Sequence, residues 1–117
     1  MARIDKYNPV GSGFRAPLAA SYTGAAAPIA VGLNSSGRVV VGAGQSGVAG
    51  VICIPTNKNA GDIVDVMKHG ELVEAALVAG TAYTANTTTG VISSAAASAT
   101  QIYVGHTVEA DRLVVNV

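Results

Sequence analysis

The sequence predicts a mostly β protein: a small, compact domain of the β-barrel or β-sandwich kind, with an extended N-terminal arm and at most one short helix. Short runs of β-branched residues recur from residue 29 onward, and polar or glycine-rich turns separate them. Residues 1–28 show neither the helical period of about 3.6 residues nor the alternation of a strand. We therefore divide the chain into an arm over residues 1–28 and a β-rich domain over residues 29–117.

Composition limits what this domain can be built from. Of the 117 residues, 50% are apolar but only 4% are aromatic, with one Phe and no Trp. The core must therefore consist of Val, Ile, Leu and Ala. Charged residues make up only 12% of the chain, which is roughly half of the usual share in soluble domains. We expect much of the surface to be small, neutral and suited to packing against another protein.

Charge and hydropathy exclude several kinds of partner. The formal net charge is zero, whereas nucleic-acid binding requires an excess of Lys and Arg on one face. No run of about 18 apolar residues could span a membrane, and the first residues lack the apolar segment of a secretion signal. We expect a soluble protein made in a cytoplasm, with no nucleic-acid partner and no membrane partner.

The arm carries features of a docking segment. It holds three of the five aromatic residues, and over residues 1–15 the three cations exceed the one carboxylate by two charges. Binding energy in protein interfaces concentrates in buried aromatic and Arg side chains. The candidate docking residues are Arg3, Tyr7, Phe14, Arg15 and Tyr22. A second interpretation, in which the arm folds back over its own domain, stays open.

A hairpin and a glycine-rich turn follow the arm. Two short runs rich in β-branched residues, 29–33 and 38–41, lie on either side of the turn NSSG. The residues of this turn tolerate turn conformations. The four glycines within residues 42–50 have a spacing like that of a dinucleotide-binding loop, but such a loop needs a helix directly after it. Here an apolar strand pattern follows, so we interpret the glycines as a turn or bulge that leaves room for close backbone approach.

The middle of the chain permits two assignments. Val64 and Val66 alternate with polar or longer side chains, as in a strand with one buried face. Residues 71–80 place apolar side chains at helical spacing before a glycine, which suits the end of a helix. We predict a strand through about Val73 and leave open a short helix over residues 74–78.

The last third shows the clearest strand patterns. A turn over residues 87–90 separates two short strands. Residues 101–109 alternate, with Val104 and His106 predicted on the apolar side. Three apolar residues share one face of residues 113–117, and a strand of this kind needs a paired partner to protect its valines.

The polar residues form no recognisable catalytic or metal-binding pattern. The candidates are Cys53, Asp62, Asp65, His69, Glu71, Glu74 and His106. No pair has the spacing of metal ligands, and no nucleophile elbow or cysteine motif is present. Asp62 and Asp65 would lie on opposite faces of a strand. We interpret Cys53 as a buried apolar residue, His69 as a turn residue and His106 as a hydrogen-bonded residue, and predict no enzymatic activity, no metal and no cofactor.

The order of these motifs resembles that of the head decoration proteins of tailed bacteriophages, the family of the lambda head-stabilising protein. The resemblance rests on an arm containing GFRAPLAA, a turn of the type NSSGR, a small-residue turn before a strand of the type GVICI, and a strand ending in glycine and an acidic residue. The segments GTAYTANTTTGVIS and VGHTVEADRLVVNV resemble related capsid-associated proteins that end on an apolar strand. The chain differs from the lambda type by lacking Trp and by its longer C-terminal region.

The resemblance implies a structural protein of the virion, synthesised in the cytoplasm of a bacterial host. Such proteins bind the exterior of an expanded capsid, usually as homotrimers, with the arm lying on the major capsid protein. The alternative is a receptor-binding or glycan-binding β-module of a phage tail or fibre. Such modules usually carry exposed aromatic residues on loops, and the predicted loops here carry none.

Overall fold

The strands form two antiparallel sheets of five strands each. The structure, a computed structural model, describes residues 13–24, 27–45, 47–73 and 77–117. The strands in these residues are β1 (Gly13–Pro17), β2 (Ile29–Leu33), β3 (Val39–Val41), β4 (Gly50–Ile52), β5 (Ile63–Met67), β6 (His69–Val73), β7 (Ala82–Asn86), β8 (Ile92–Ser93), β9 (Gln101–Thr107) and β10 (Arg112–Asn116). The mostly β prediction is confirmed, and no helix that could cross a membrane occurs among the described residues.

The first sheet curls into a small barrel because its two edge strands meet. Its strand order is β1-β5-β4-β2-β3. Leu18, directly after β1, forms a parallel bridge with Val39 in β3, and the Ala19 N–H donates to the Val39 carbonyl oxygen over 2.9 Å. The side chains enclosed by this barrel, which we call the inner core, are Ala16, Leu18, Val31, Val39, Ile52, Val64 and Val66.

The second sheet, in the order β6-β10-β9-β7-β8, covers the outer side of the barrel. Neighbouring residues of a strand point to opposite faces, so Ile52 lies in the inner core while Val51 packs against Tyr83 and Leu113 of the second sheet. In the same way Ala30 of β2 packs between the sheets. Both faces of the first sheet are therefore buried where the second sheet covers it.

The segment predicted as one strand through Val73 is two strands in different sheets. β5 pairs with β1 in the first sheet and β6 pairs with β10 in the second. Lys68 lies at the bend between them, and its carbonyl oxygen accepts the N–H of Val117 over 2.9 Å. Val64 and Val66 are buried as predicted. Residues 74–76, the centre of the possible helix, lie outside the described residues.

The glycine-rich turn permits close approach of two backbones, as predicted. Gly44 lies against the main chain of β2, and the N–H of Gln45 donates to the Leu33 carbonyl oxygen over 2.7 Å. A Cβ atom at Gly32 or at Gly44 would overlap main-chain atoms of the facing segment. Strand β4 follows the turn, so the arrangement is not that of a dinucleotide-binding loop, which needs a helix there.

A bulge in β9 makes one part of the strand prediction wrong. The pairing of β9 with β7 shifts register between Tyr83 and Thr84, which gives β9 one extra residue. Val104 and Gly105 are consequently both buried, whereas His106, predicted on the apolar side, is exposed. The cause is that alternation changes phase at a bulge.

Leu18→Ala tests the closure of the barrel. Leu18 is 4% exposed at the point where the edge strands meet, so we expect the substitution to lower the free energy of unfolding by about 3 kcal/mol through lost burial and a residual cavity. Val41→Ala in β3, where the side chain is 46% exposed, should cost about 0.5 kcal/mol. Denaturant unfolding of both variants measures the difference, and equal losses would contradict the role of Leu18.

Candidate functional site

The predicted docking residues of the arm fall into two groups. Arg3 and Tyr7 lie outside the described residues. Residues 13–24 lie on the domain itself, because β1 pairs with β5 over its whole length, from Gly13 opposite Met67 to Pro17 opposite Ile63. For this part of the arm the structure shows the fold-back interpretation.

Phe14 and Arg15 occupy opposite faces of β1. Phe14 is partly buried and packs against the inner core. Arg15 is exposed, and its Nε donates to Oδ1 of Asp65, its cross-strand partner, over 2.8 Å. An exposed ion pair of this kind contributes about 0.2–1 kcal/mol. The guanidinium of Arg15 therefore stays accessible to a partner, whereas the ring of Phe14 is already used by the fold.

Tyr22 is held against the barrel by main-chain pairing. Its N–H donates to the Lys58 carbonyl oxygen over 2.8 Å, and the Lys58 N–H donates back over 2.9 Å. The ring packs against the inner core, and the hydroxyl is buried with no hydrogen-bond partner among the described residues. Burial raises the pKa of Tyr22 above its ordinary value, and the electrostatic interaction with nearby Cys53 raises this pKa further.

Cys53 is exposed, so its interpretation as a buried residue is wrong. It follows directly after β4, and alternation from the inward-facing Ile52 turns it to the outside of the barrel. Burial on that side depends on the second sheet, which does not cover this position. The apolar residues around Cys53 in the sequence could not predict that the second sheet leaves this position exposed.

An apolar pocket and a more polar groove are among the depressions beside the folded part of the arm. A pocket of about 250 Å³ lies at the seam of the barrel, lined mainly by Leu18, Tyr22, Val39 and Ile52. The second is a shallow groove of about 360 Å³ around Ile63, which we call the Ile63 groove. Its lining includes the two cations Arg15 and Lys58 beside Pro55 and Asp65. Ile63 itself is 56% exposed.

Three exposed valines lie together at one end of the second sheet. Val73, Val78 and Val108 are 84%, 62% and 52% exposed. Val73 pairs with Arg112 at the start of β10, and the side chain of Thr107 donates to the carbonyl oxygen of Val78. We call these valines, together with the exposed carboxylates Glu109 and Asp111 of the β9–β10 turn, the acidic tip.

Sequence reasoning missed the acidic tip, although a signal for it was present. Two of its valines are each followed by a glutamate, in LVE and in TVE. Arg112 supplies a cation in this region. Its Nη1 lies 3.7 Å from Oε1 of Glu71, and its Nη2 lies 3.6 Å from Oε1 of Glu109. The tip is therefore an apolar patch with a negative rim.

The remaining polar candidates are dispersed. Asp62 accepts the N–H of Asn59 over 2.8 Å and stabilises a turn, and Asp65 pairs with Arg15. His69 was predicted in a turn but is the first residue of β6. Nδ1 of His106 forms a hydrogen bond of 3.1 Å with the hydroxyl oxygen of Tyr103. No group of three potential metal ligands occurs among the residues that the structure describes.

Comparison with solved structures identifies a similar fold. A chain from Mycobacterium phage Patience matches with a TM-score of 0.80 and 22% sequence identity, over 97% of this chain and 95% of that chain. The two chains share a fold. At this level of identity the likeness concerns architecture alone. No family model matches the chain, and no curated protein sequence matches it.

Tyr22→Phe tests the buried hydroxyl. Phe keeps the packing of the ring and removes a polar atom without a partner, so the free energy of unfolding at neutral pH should stay equal or rise by up to about 1 kcal/mol. Because the folded protein holds the Tyr22 proton more tightly, the wild type should lose stability as pH rises from about 10, where an unfolded tyrosine ionises, through the raised pKa. The variant lacks this loss.

Stability measured by denaturant unfolding between pH 8 and pH 11 checks the effect of Tyr22→Phe. Tyr103→Phe removes one exposed tyrosine hydroxyl and leaves Tyr22 in place, so it should keep the alkaline loss of the wild type. Identical alkaline curves for Tyr22→Phe and the wild type would show that the Tyr22 proton is not linked to folding.

Proposed function

We propose that this chain is a phage virion protein that binds the exterior of an expanded capsid and cements neighbouring subunits of the major capsid protein. The observation that carries the proposal is the fold shared with a chain from a mycobacteriophage over 97% of the sequence. The motif order that resembles head decoration proteins, from the NSSGR turn to the apolar GVICI strand, supports it independently.

In this proposal residues 1–12 make the capsid contact, because the later aromatic residues of the arm are already used by the fold. Phe14 and Tyr22 pack on the barrel, so they contribute to the stability of the domain. Arg3 and Tyr7 precede β1 and supply the cation and the aromatic ring that interfaces favour. Twelve extended residues span at most about 40 Å, which is comparable to the long dimension of the domain, 45 Å. Such a segment is long enough to reach a neighbouring subunit.

The proposed mechanism is added buried area together with multivalency. An extended segment can add main-chain hydrogen bonds by pairing with a strand of its partner. In a homotrimer three such segments act together, because binding of the first raises the effective concentration of the others. The proposal includes no catalytic step, no cofactor and no metal.

Deletion of residues 1–12 tests the proposed contact. The deletion stops before β1 because Ala16 and Leu18 belong to the inner core, so a longer deletion would unfold the domain. We expect the truncated chain to keep its thermal unfolding temperature and to bind expanded capsids at least about tenfold more weakly, which corresponds to the loss of about 1.4 kcal/mol or more. Co-sedimentation with expanded capsids over a range of protein concentrations measures the occupancy.

Arg3→Ala combined with Tyr7→Ala should reproduce most of this loss, whereas Asn8→Ala serves as the matched control. Unchanged occupancy of the truncated chain would exclude residues 1–12 as the contact. Failure of the full-length chain to bind either expanded or unexpanded capsids would overturn the capsid-cementing function itself.

A further inference from the structure

Strand β6 is an open edge of the second sheet. It stands first in the order β6-β10-β9-β7-β8, so β10 pairs with one of its sides, and no strand in the described part of the chain pairs with the other. His69, Glu71 and Val73 are exposed, Val73 to 84%. The edge is therefore accessible to the main chain of a partner.

The pairing with β10 shows which main-chain groups of β6 point to the open side. Val117 donates its N–H to the Lys68 carbonyl oxygen over 2.9 Å, and the same register runs without interruption to Val73. In an antiparallel pair, every second residue of a strand exchanges hydrogen bonds with its neighbour. Lys68 therefore begins the series that bonds to β10, and Gly70 and Leu72 continue it. The residues whose N–H and C=O groups point to the open side are His69, Glu71 and Val73.

The other sheet edges are protected, whereas β6 is not. The first sheet is closed where Leu18 bridges to Val39 of β3, β1 carries Pro17, which has no N–H to offer, and β8 has only two residues. Closure, proline and short strands are usual means by which proteins prevent unwanted pairing at an edge. β6 has five residues without Pro, Lys or a bulge, and the carboxylate of its Glu71 lies 3.7 Å from Arg112 of β10. Its unpaired main-chain groups therefore stay available for pairing.

A strand added to β6 would also cover apolar surface. Met67 and Leu72 are half-buried and pack against the core between the sheets, and the side chain of Met67 lies beside Gly70. Because side chains alternate between the faces of a sheet, an apolar residue of the added strand can extend this core while its neighbours face solvent. The surface therefore fits an extended segment in which apolar and polar residues alternate.

We propose that the open edge of β6 binds an extended segment of the major capsid protein, which becomes the sixth strand of the second sheet. The inference rests on the proposed function for the identity of the partner and on the structure for the surface. A chain that by itself joins two capsid subunits needs two contact surfaces, and residues 1–12 supply one of them. The edge of β6 supplies the other, because unpaired N–H and C=O groups along a strand recognise the main chain of an extended polypeptide.

Glu71→Pro tests the main-chain contact, and Glu71→Ala is its matched control. Both variants lose the carboxylate near Arg112, but proline alone removes the N–H that points to the open side and places its ring there. Proline is tolerated on an edge strand whose N–H faces solvent, so the pairing with β10 should persist. We expect Glu71→Pro to bind expanded capsids at least about tenfold more weakly than the wild type. Glu71→Ala should bind within about threefold of the wild type, and co-sedimentation over a range of protein concentrations measures both.

Hydrogen exchange of single amides gives a second readout that does not depend on a variant. In the free wild type the N–H groups of His69, Glu71 and Val73 should exchange faster than those of Gly70 and Leu72, which bond to β10. On expanded capsids the exchange of the first three should slow by at least about tenfold. Circular dichroism verifies that Glu71→Pro keeps its β structure, and if it does not, the exchange measurement decides.

Three results would overturn the inference and leave the proposed function in place. The first is equal capsid binding by Glu71→Pro and Glu71→Ala, and the second is unchanged exchange of the three amides on capsids. The third is slow exchange of these amides in the free chain, because a segment of the chain itself or a second copy would then already cover the edge. A wild type that binds no capsids would overturn the proposed function and this inference together, so the two failures are distinguishable.

Discussion

The fold is organised by the first sheet, which is buried on both faces wherever the second sheet covers it. One face surrounds the inner core, and the other face packs against the second sheet. A core with so few aromatic side chains gains little area per residue, so it must be closed on all sides to exclude water. The bridge from Leu18 to Val39 provides that closure, and the small residues Ala30 and Gly32 let neighbouring segments approach closely.

This constraint also makes the described part of the arm, residues 13–24, a structural part of the domain. Closing the barrel requires β1 and Leu18, so the residues from Gly13 to Tyr22 contribute to folding before any partner is present. Phe14 and Tyr22 illustrate the conflict between the two roles, because an aromatic ring that packs on its own core has little area left for a partner. Within the proposed function, the capsid contact of the arm is therefore assigned to the residues before β1.

The crossing from β5 to β6 takes the chain from the first sheet to the second, and the charged residues are unequally distributed on its two sides. Among the described residues, four of the five cations precede residue 69 and three of the five carboxylates follow residue 68. A chain with zero net charge can therefore still carry an unequal distribution of positive and negative residues between its two sheets.

Local sequence was enough to predict the features that depend on neighbouring residues. The burial of Val64 and Val66, the hairpin over residues 29–41 and the shared face of Leu113 and Val115 follow from local alternation and turn chemistry. Four features depend on contacts between distant segments: the exposure of Cys53, the exposure of His106, the change of sheet at Lys68 and the position of β1 in the barrel. Alternation states which residues share a face, but a bulge can shift it, and whether a face is covered depends on segments far away in the chain.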